Sequence, residues 1–229
     1  EYIRSEAKAG RMKDRLVAVI CAGDRERVYL SPTAEWEEQA RMPIPEDLPE
    51  VSLPEKALGF RVQEYGMKQW SGLYTSRQLN ALFQLTALVR QIGKVCDEDA
   101  LRVDHASLSS DGAGLSYGDA IAVYLTCVVD KVSECLSTLC TWSSAAKNEL
   151  VVSTFRRHAL PMTWDFAEAN PLGMSSGSIS KISKAVSKAV NALPAKAAGI
   201  AVQIEAQQQE VSRNRVISTD PPYYDNIGY

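Results

Sequence analysis

The sequence predicts a helix-rich α/β fold with a β-hairpin at its amino end and sheet strands at its carboxyl end. Three observations carry this. Between residues 75 and 193 apolar side chains recur at helical spacing. Short apolar or β-branched runs at 16–22, 28–30, 199–204 and 216–219 flank those segments. The last of these runs into Asp220-Pro221-Pro222-Tyr223. Two prolines cannot donate to a sheet ladder and each fixes its own φ, so a strand must stop at Asp220 and leave a stiff loop beyond it. Ligands of open α/β sheets sit at that carboxyl edge.

The 229 residues are 45% hydrophobic and 23% charged with net charge −3, enough for one sizeable core. A pI near 5.6 gives no global basic character, so any nucleic-acid contact needs a local patch. No signal peptide is visible. The most apolar segment, 121–139, holds Asp130, Lys131 and Glu134 and is not expected to span a membrane. Cys21, Cys96, Cys127, Cys135 and Cys140 lack any Cys-x-x-Cys pair, which reads as reduced thiols in a cytoplasmic protein. His105 and His158 have no partner at ligand spacing, so no metal site is expected. The chain starts at Glu1 rather than Met and halts six residues past Tyr223, which reads as an excerpt of a longer protein.

In order, 1–15 reads as a loop or an entering helix. Residues 16–22 and 28–30 form a hairpin about Gly23–Arg27, and Ser31-Pro32-Thr33 caps a short helix to Arg41. Prolines 43, 45, 49 and 54 make an extended connector, either a domain boundary or a strap. Residues 59–66 alternate like an edge strand. Thr75 with Gln78 is a capping-box pair opening a helix to Cys96, apolar at Leu79, Leu82, Phe83, Val89 and Ile92. A polar loop covers 104–114. Ser116 caps a helix to about Cys140, with a stripe at Tyr117, Ile121, Tyr124, Leu125, Val128, Val132 and Leu136. Further helices are expected over 145–158 and 179–193, then paired strands at 199–204 and 216–219. The expected organisation is 1–41, hairpin and short helix; 42–58, connector; and 59–229, a helical region leading into core strands.

Three constellations carry chemistry. Work at an exocyclic amine needs two acceptors for its two hydrogens. The Asp220 carboxylate and the Pro222 carbonyl supply them, while Tyr223 offers a stacking face for a flipped base. The plain alternative is a proline-ended strand whose Asp caps a turn. In the 161–171 segment, Trp164, Asp165, Phe166, Glu168 and Asn170 resemble pocket lining, with Asp165 or Asn170 facing base or cofactor. They serve equally well as a packed connector in which either residue caps the next element. Lys181, Lys184 and Lys188 share a side of the last helix, with Arg156, Arg157 and His158 a little earlier. They either contact phosphates or form a solvated face, the commoner outcome for charge runs.

Ser218 to Tyr229, Ser-Thr-Asp-Pro-Pro-Tyr-Tyr-Asp-Asn-Ile-Gly-Tyr, resembles the catalytic motif of amino-group DNA methyltransferases, and more narrowly the large adenine-specific DNA methylases that carry a zinc ribbon. The stretches 58–67, 72–79 and 159–171 are similar to that family too, so the likeness runs from about residue 16 onward. The resemblance implies a partial Rossmann-like methyltransferase domain, S-adenosylmethionine as donor, DNA as partner and the N6 of adenine as acceptor, with direct transfer. It makes Asp220-Pro221-Pro222-Tyr223 the catalytic residues. The family's glycine-rich cofactor loop and zinc ribbon are expected upstream of Glu1, so this chain alone is expected to be inactive. Asp111-Gly112-Ala113-Gly114 follows a Ser-rich loop rather than a strand and makes a poor cradle. The alternatives are a non-catalytic nucleic-acid-binding or structural module, or methylation of RNA or a protein amide.

Overall fold

A computed structural model describes residues 1–102, 116–145, 149–156, 159–193, 199–205 and 207–220. The chain mixes helix and strand, with helix dominant, and divides into two compact units, Glu1–Lys188 and Ala189–Tyr229. Among the described residues the named strands form two antiparallel pairs.

The first unit opens with α1 (Tyr2–Lys8), so the charged amino end is helical. Ala7 is buried beside the turn at Gly66, and Arg4 pairs with Glu64 at 2.7 Å while lying over the Tyr65 ring. Strands β1 (Val19–Ala22) and β2 (Arg27–Leu30) pair in the register Val19↔Leu30. The turn closes through a Gly23 N–H to Glu26 carbonyl bond of 2.8 Å. Helix α2 (Ala34–Gln39) is capped by the Thr33 hydroxyl, which accepts from the Trp36 N–H.

The proline-rich 42–58 stretch is a strap pinned at Leu53. Its backbone exchanges bonds with 68–70 (Leu53 N–H to Lys68 carbonyl, 2.8 Å; Trp70 N–H to Val51 carbonyl, 2.9 Å). Leu53 is buried with Val62, Leu73, Leu139 and Leu160 in the first of two cores among the described residues. The expected edge strand at 59–66 is instead a 3₁₀ turn over Val62–Tyr65. Val62 and Tyr65 are three apart, so the same alternation that suggests a strand also satisfies a three-residue repeat. Gly66, at φ 85°, ends the turn in the left-handed region.

Helix α3 (Ser76–Arg102) runs six residues past its expected end. Its capping box forms: the Thr75 hydroxyl accepts from the Gln78 N–H at 3.2 Å, and Gln78 Oε1 accepts from the Thr75 N–H at 2.9 Å. The 104–114 loop lies outside the described residues. Helix α4 (Tyr117–Ser133) starts at a second capping box, Ser116 with Asp119, but stops well before Cys140. The run Ser133-Glu-Cys-Leu-Ser137-Thr138 is rich in hydroxyls that compete for backbone. Ser133 Oγ donates to the Asp130 carbonyl, and Cys135 N–H reaches only to Val132. Thr138 then turns away, its N–H and hydroxyl both donating to the Leu73 carbonyl at 2.8 Å. Val128, Val132 and Leu136 are buried as expected, whereas Tyr117 and Tyr124 at the predicted stripe are exposed.

The expected 145–158 helix is a correction. Strands β3 (Thr141–Ser143) and β4 (Leu150–Val152) pair antiparallel there, followed by a short turn at Thr154–Arg156. Leu150-Val151-Val152 carries the β preference, and Trp142 opposite Val151 supplies a cross-strand aromatic–branched pair. Helix α5 (Ile179–Ala192) begins after Ser178, as expected. Its Ile179, Ile182 and Val186 pack on the second core of Val128, Val132 and Leu136.

In the second unit, neither 199–204 nor 216–219 is a strand. The expected pairing does not form: the chain between them is used up in turns, with Arg213 N–H to Glu210 and Arg215 N–H to Ser212. Asn214 takes φ 61°. Ile200, Val202, Ile204, Val216 and Ile217 are all exposed.

Candidate functional site

Of the tetrapeptide Asp220-Pro221-Pro222-Tyr223, expected from the sequence to be catalytic, Asp220 is described, as an exposed residue ending an extended stretch. Pro221, Pro222 and Tyr223 lie outside the described residues. Val216, wholly exposed, and Ile217 precede Asp220 without a ladder partner among the described residues. Asp220 therefore follows a segment of strand-like composition that is not in a sheet.

The 161–171 segment is irregular, as its prolines and aromatics suggest, and is held from three sides. Ala167 and Ala169 N–H groups donate to the Cys140 and Cys135 carbonyls, each at 3.0 Å. The Trp164 ring meets Tyr65 edge-on, centroids 5.2 Å apart. Glu168 accepts from Gln78 Nε2 at 2.8 Å and pairs with Arg77. Asp165 is exposed. Asn170 is a cap: its Oδ1 accepts from the Leu172 N–H at 3.0 Å, in a turn closed by Gly173 N–H to the Asn170 carbonyl. The Pro171 carbonyl then takes the Ile179 N–H at 2.9 Å, which hands this segment directly to α5.

Lys181, Lys184 and Lys188 all sit on the exposed side of α5. Of the neighbouring basic residues, Arg156 is exposed, while Arg157 and His158 lie outside the described residues.

Two polar nodes escape sequence reasoning. The first joins Gln78 to Glu168: the capping-box pattern finds Gln78, but nothing local says that its second amide hydrogen reaches a residue 90 positions on. The second is a trio in which buried Ser137 Oγ contacts the half-buried Thr154 hydroxyl and buried Cys140 Sγ, and also accepts from the Leu139 N–H at 3.1 Å. Burial pushes the Cys135 thiol above its ordinary range, with Cys140 and Glu134 adding to it. Burial likewise raises Tyr74, against the pull of a hydrogen bond with Ser133.

A groove of ≈ 150 Å³ opens between α3, α4 and α5, lined by residues such as Leu88, Ile92, Leu125 and Val129, with Ser183 its one polar side chain. It falls below the roughly 300 Å³ at which small-molecule sites begin and offers no charged group. Among the described residues no cluster of His, Cys, Asp or Glu could hold a metal, and no helix is long and apolar enough to cross a membrane. The chain matches no protein-family model, no curated protein and no solved structure.

Proposed function

We propose that this chain is part of an S-adenosylmethionine-dependent DNA methyltransferase acting on the N6 of adenine. The observation that carries the proposal is Asp220-Pro221-Pro222-Tyr223 directly after the β-branched run Arg215–Thr219. Exposed Val216 and Ile217 support it: burying such a side chain in a sheet is worth about 1.5–3 kcal/mol, so this segment gains from strand neighbours in a Rossmann-like sheet.

In this reading, the Asp220 carboxylate and the Pro222 carbonyl each accept one amine hydrogen. The nitrogen lone pair is then free to point out of the base plane, and Tyr223 holds the ring by stacking. Asp165, exposed beside Trp164, is the better of the two proposed pocket residues, since Asn170 Oδ1 is occupied by its own turn. The donor carries an amino-acid end and an adenosine. The apolar groove between α3, α4 and α5 has no charged partner for the former, so it does not fit the donor. The part assigned to this chain is therefore the grip on the amine.

The test is to incubate full-length protein with methyl-labelled donor and separate DNA, RNA and protein pools. Label on adenine N6 of DNA is expected, and label in protein alone would end the proposal. A second reading, a nucleic-acid-binding module without catalysis, is favoured by the lysine side of α5. Calorimetry with donor separates the two, because such a module retains DNA binding in a full-length protein that takes up no donor.

A further inference from the structure

The α5 lysines stand out against the composition of the whole chain. From Ala169 to Ile204, 36 residues, there is no Asp or Glu and there are four lysines, in a protein whose net charge is −3. Acidic residues are concentrated elsewhere and this stretch is left purely basic.

Helix geometry sharpens the asymmetry. At about 100° per residue, Lys181, Lys184 and Lys188 fall within an arc of about 60°. That arc lies opposite the one holding Ile179, Ile182, Val186 and Val190. Three of these apolar residues pack on the second core, so the orientation of α5 is fixed and its lysine edge must face out. All three lysines are exposed, and none has an ion-pair partner among the described residues. Ser180, Ser187 and Asn191 line one flank of the stripe, and Ala185, Ala189 and Ala192 the other. A row of ammonium groups with hydroxyl and amide donors on one side and small residues on the other suits a curved, polyanionic ridge.

We propose that this edge of α5 tracks the phosphate backbone of duplex DNA. The proposal rests on the DNA reading above and adds where the backbone is held. From Lys181 to Lys188 the helix rises about 10 Å. One DNA strand advances about 3.4 Å per nucleotide along the duplex axis, so the row spans about three nucleotide steps and brings two to three phosphates within reach of the long lysine side chains. An anionic membrane is a different partner and fits less well. Surface helices that bind bilayers insert their apolar face, and here that face is already engaged, Ile179, Ile182 and Val186 being partly buried against the second core. Lysine at each position, rather than the bidentate arginine fork, fits contacts that position the duplex without reading bases.

The experiment measures binding of full-length protein to a fluorescein-labelled 20-base-pair duplex across a sodium chloride series, for wild type and the triple variant K181A/K184A/K188A. Each neutralised phosphate contributes about 0.9 to the slope of log affinity against log salt. The variant is expected to lose about 2 to 3 from that slope and to bind at least about tenfold more weakly at low salt. A K181R/K184R/K188R variant is expected to keep the slope. Because the lysines are exposed, circular dichroism should be unchanged. A variant that binds with the wild-type slope overturns the proposal while leaving the methyltransferase reading intact. Wild-type protein that ignores the duplex but binds phosphatidylserine vesicles also overturns it. Label transfer to adenine, measured on the same preparations, shows independently whether the functional reading stands.

Discussion

Gln78 Nε2 donates to the Glu168 carboxylate at 2.8 Å, while Gln78 Oε1 accepts from the Thr75 N–H at 2.9 Å. One side chain, 1% exposed, thus closes the start of α3 and anchors the aromatic, acidic segment that leads to α5. Truncating it leaves the Thr75 N–H without its partner and removes one of the two donors to a half-buried carboxylate. Gln78→Ala is expected to destabilise the chain by about 2–3 kcal/mol, since hydrogen bonds to charged groups are worth about 1.5–3. Gln78→Glu should cost more, because two carboxylates then face each other. Urea unfolding of both variants checks the order.

Gly118 is tested by its missing Cβ. At the start of α4 it meets Gly93 of α3 so closely that an added Cβ would overlap the Gly93 carbonyl. Asp97 of α3 closes the contact, accepting from the Gly118 N–H at 2.7 Å and the Ser116 hydroxyl at 2.8 Å. Forcing the helices apart should make Gly118→Ala cost at least about 3 kcal/mol, the upper end for overpacking. Asp97→Ala should cost about 1–2 kcal/mol, as loss of a cap does. Matched thermal melts distinguish them, and an unchanged Tm for Gly118→Ala would mean that the two helices are not in this contact.

These two contacts mark how far the sequence was legible. Local signals were enough for the first hairpin, α2, the Thr75–Gln78 capping box, the Ser116 cap and the entry to α5, because the caps act within three residues of themselves. What failed was set by residues outside the segment being read. Residues 145–158 carry a mixed pattern, and the antiparallel partner Thr141–Ser143 decides for strand. Residues 59–66 satisfy two repeats, and Gly66 selects the turn. At the site, the sequence left Asp165 and Asn170 open between pocket lining and cap, and the Leu172 N–H decides for a cap at Asn170, whereas Glu168 acquires its role from Gln78 and Arg77. The 216–219 run has strand composition but no strand beside it, and composition alone cannot supply a neighbour.

Alkaline stability follows from two weak acids, the buried Cys135 and the half-buried Tyr74. Cys135 and Tyr74 are both raised above their ordinary values, in both cases first by burial. The native state therefore holds these protons more tightly than the unfolded chain does. Their contribution is fully present below the unfolded values and is lost as pH rises from there through the folded ones. Stability should be flat from pH 7 to about 8.5 and then fall, by at most about 1.4 kcal/mol per pH unit for each group. Tyr74→Phe and Cys135→Ala should flatten that fall even though each lowers stability at pH 7. A denaturation midpoint that rises above pH 9 would contradict this burial.

The functional proposal is most exposed at Asp220. Its side chain is exposed and ends an extended stretch, so replacing it should leave folding untouched. If the carboxylate holds one amine hydrogen during transfer, Asp220→Ala in the full-length protein should lower methyl transfer to adenine by about 10²–10⁴-fold, the usual range for a positioned acid–base group. Asp220→Asn keeps an acceptor oxygen but loses the charge, and should fall between wild type and the alanine variant. The salt dependence of DNA binding should stay that of wild type for both, because the phosphate contacts are assigned to α5. Equal activity in all three proteins would remove Asp220 from the chemistry and leave the chain as a nucleic-acid-binding module.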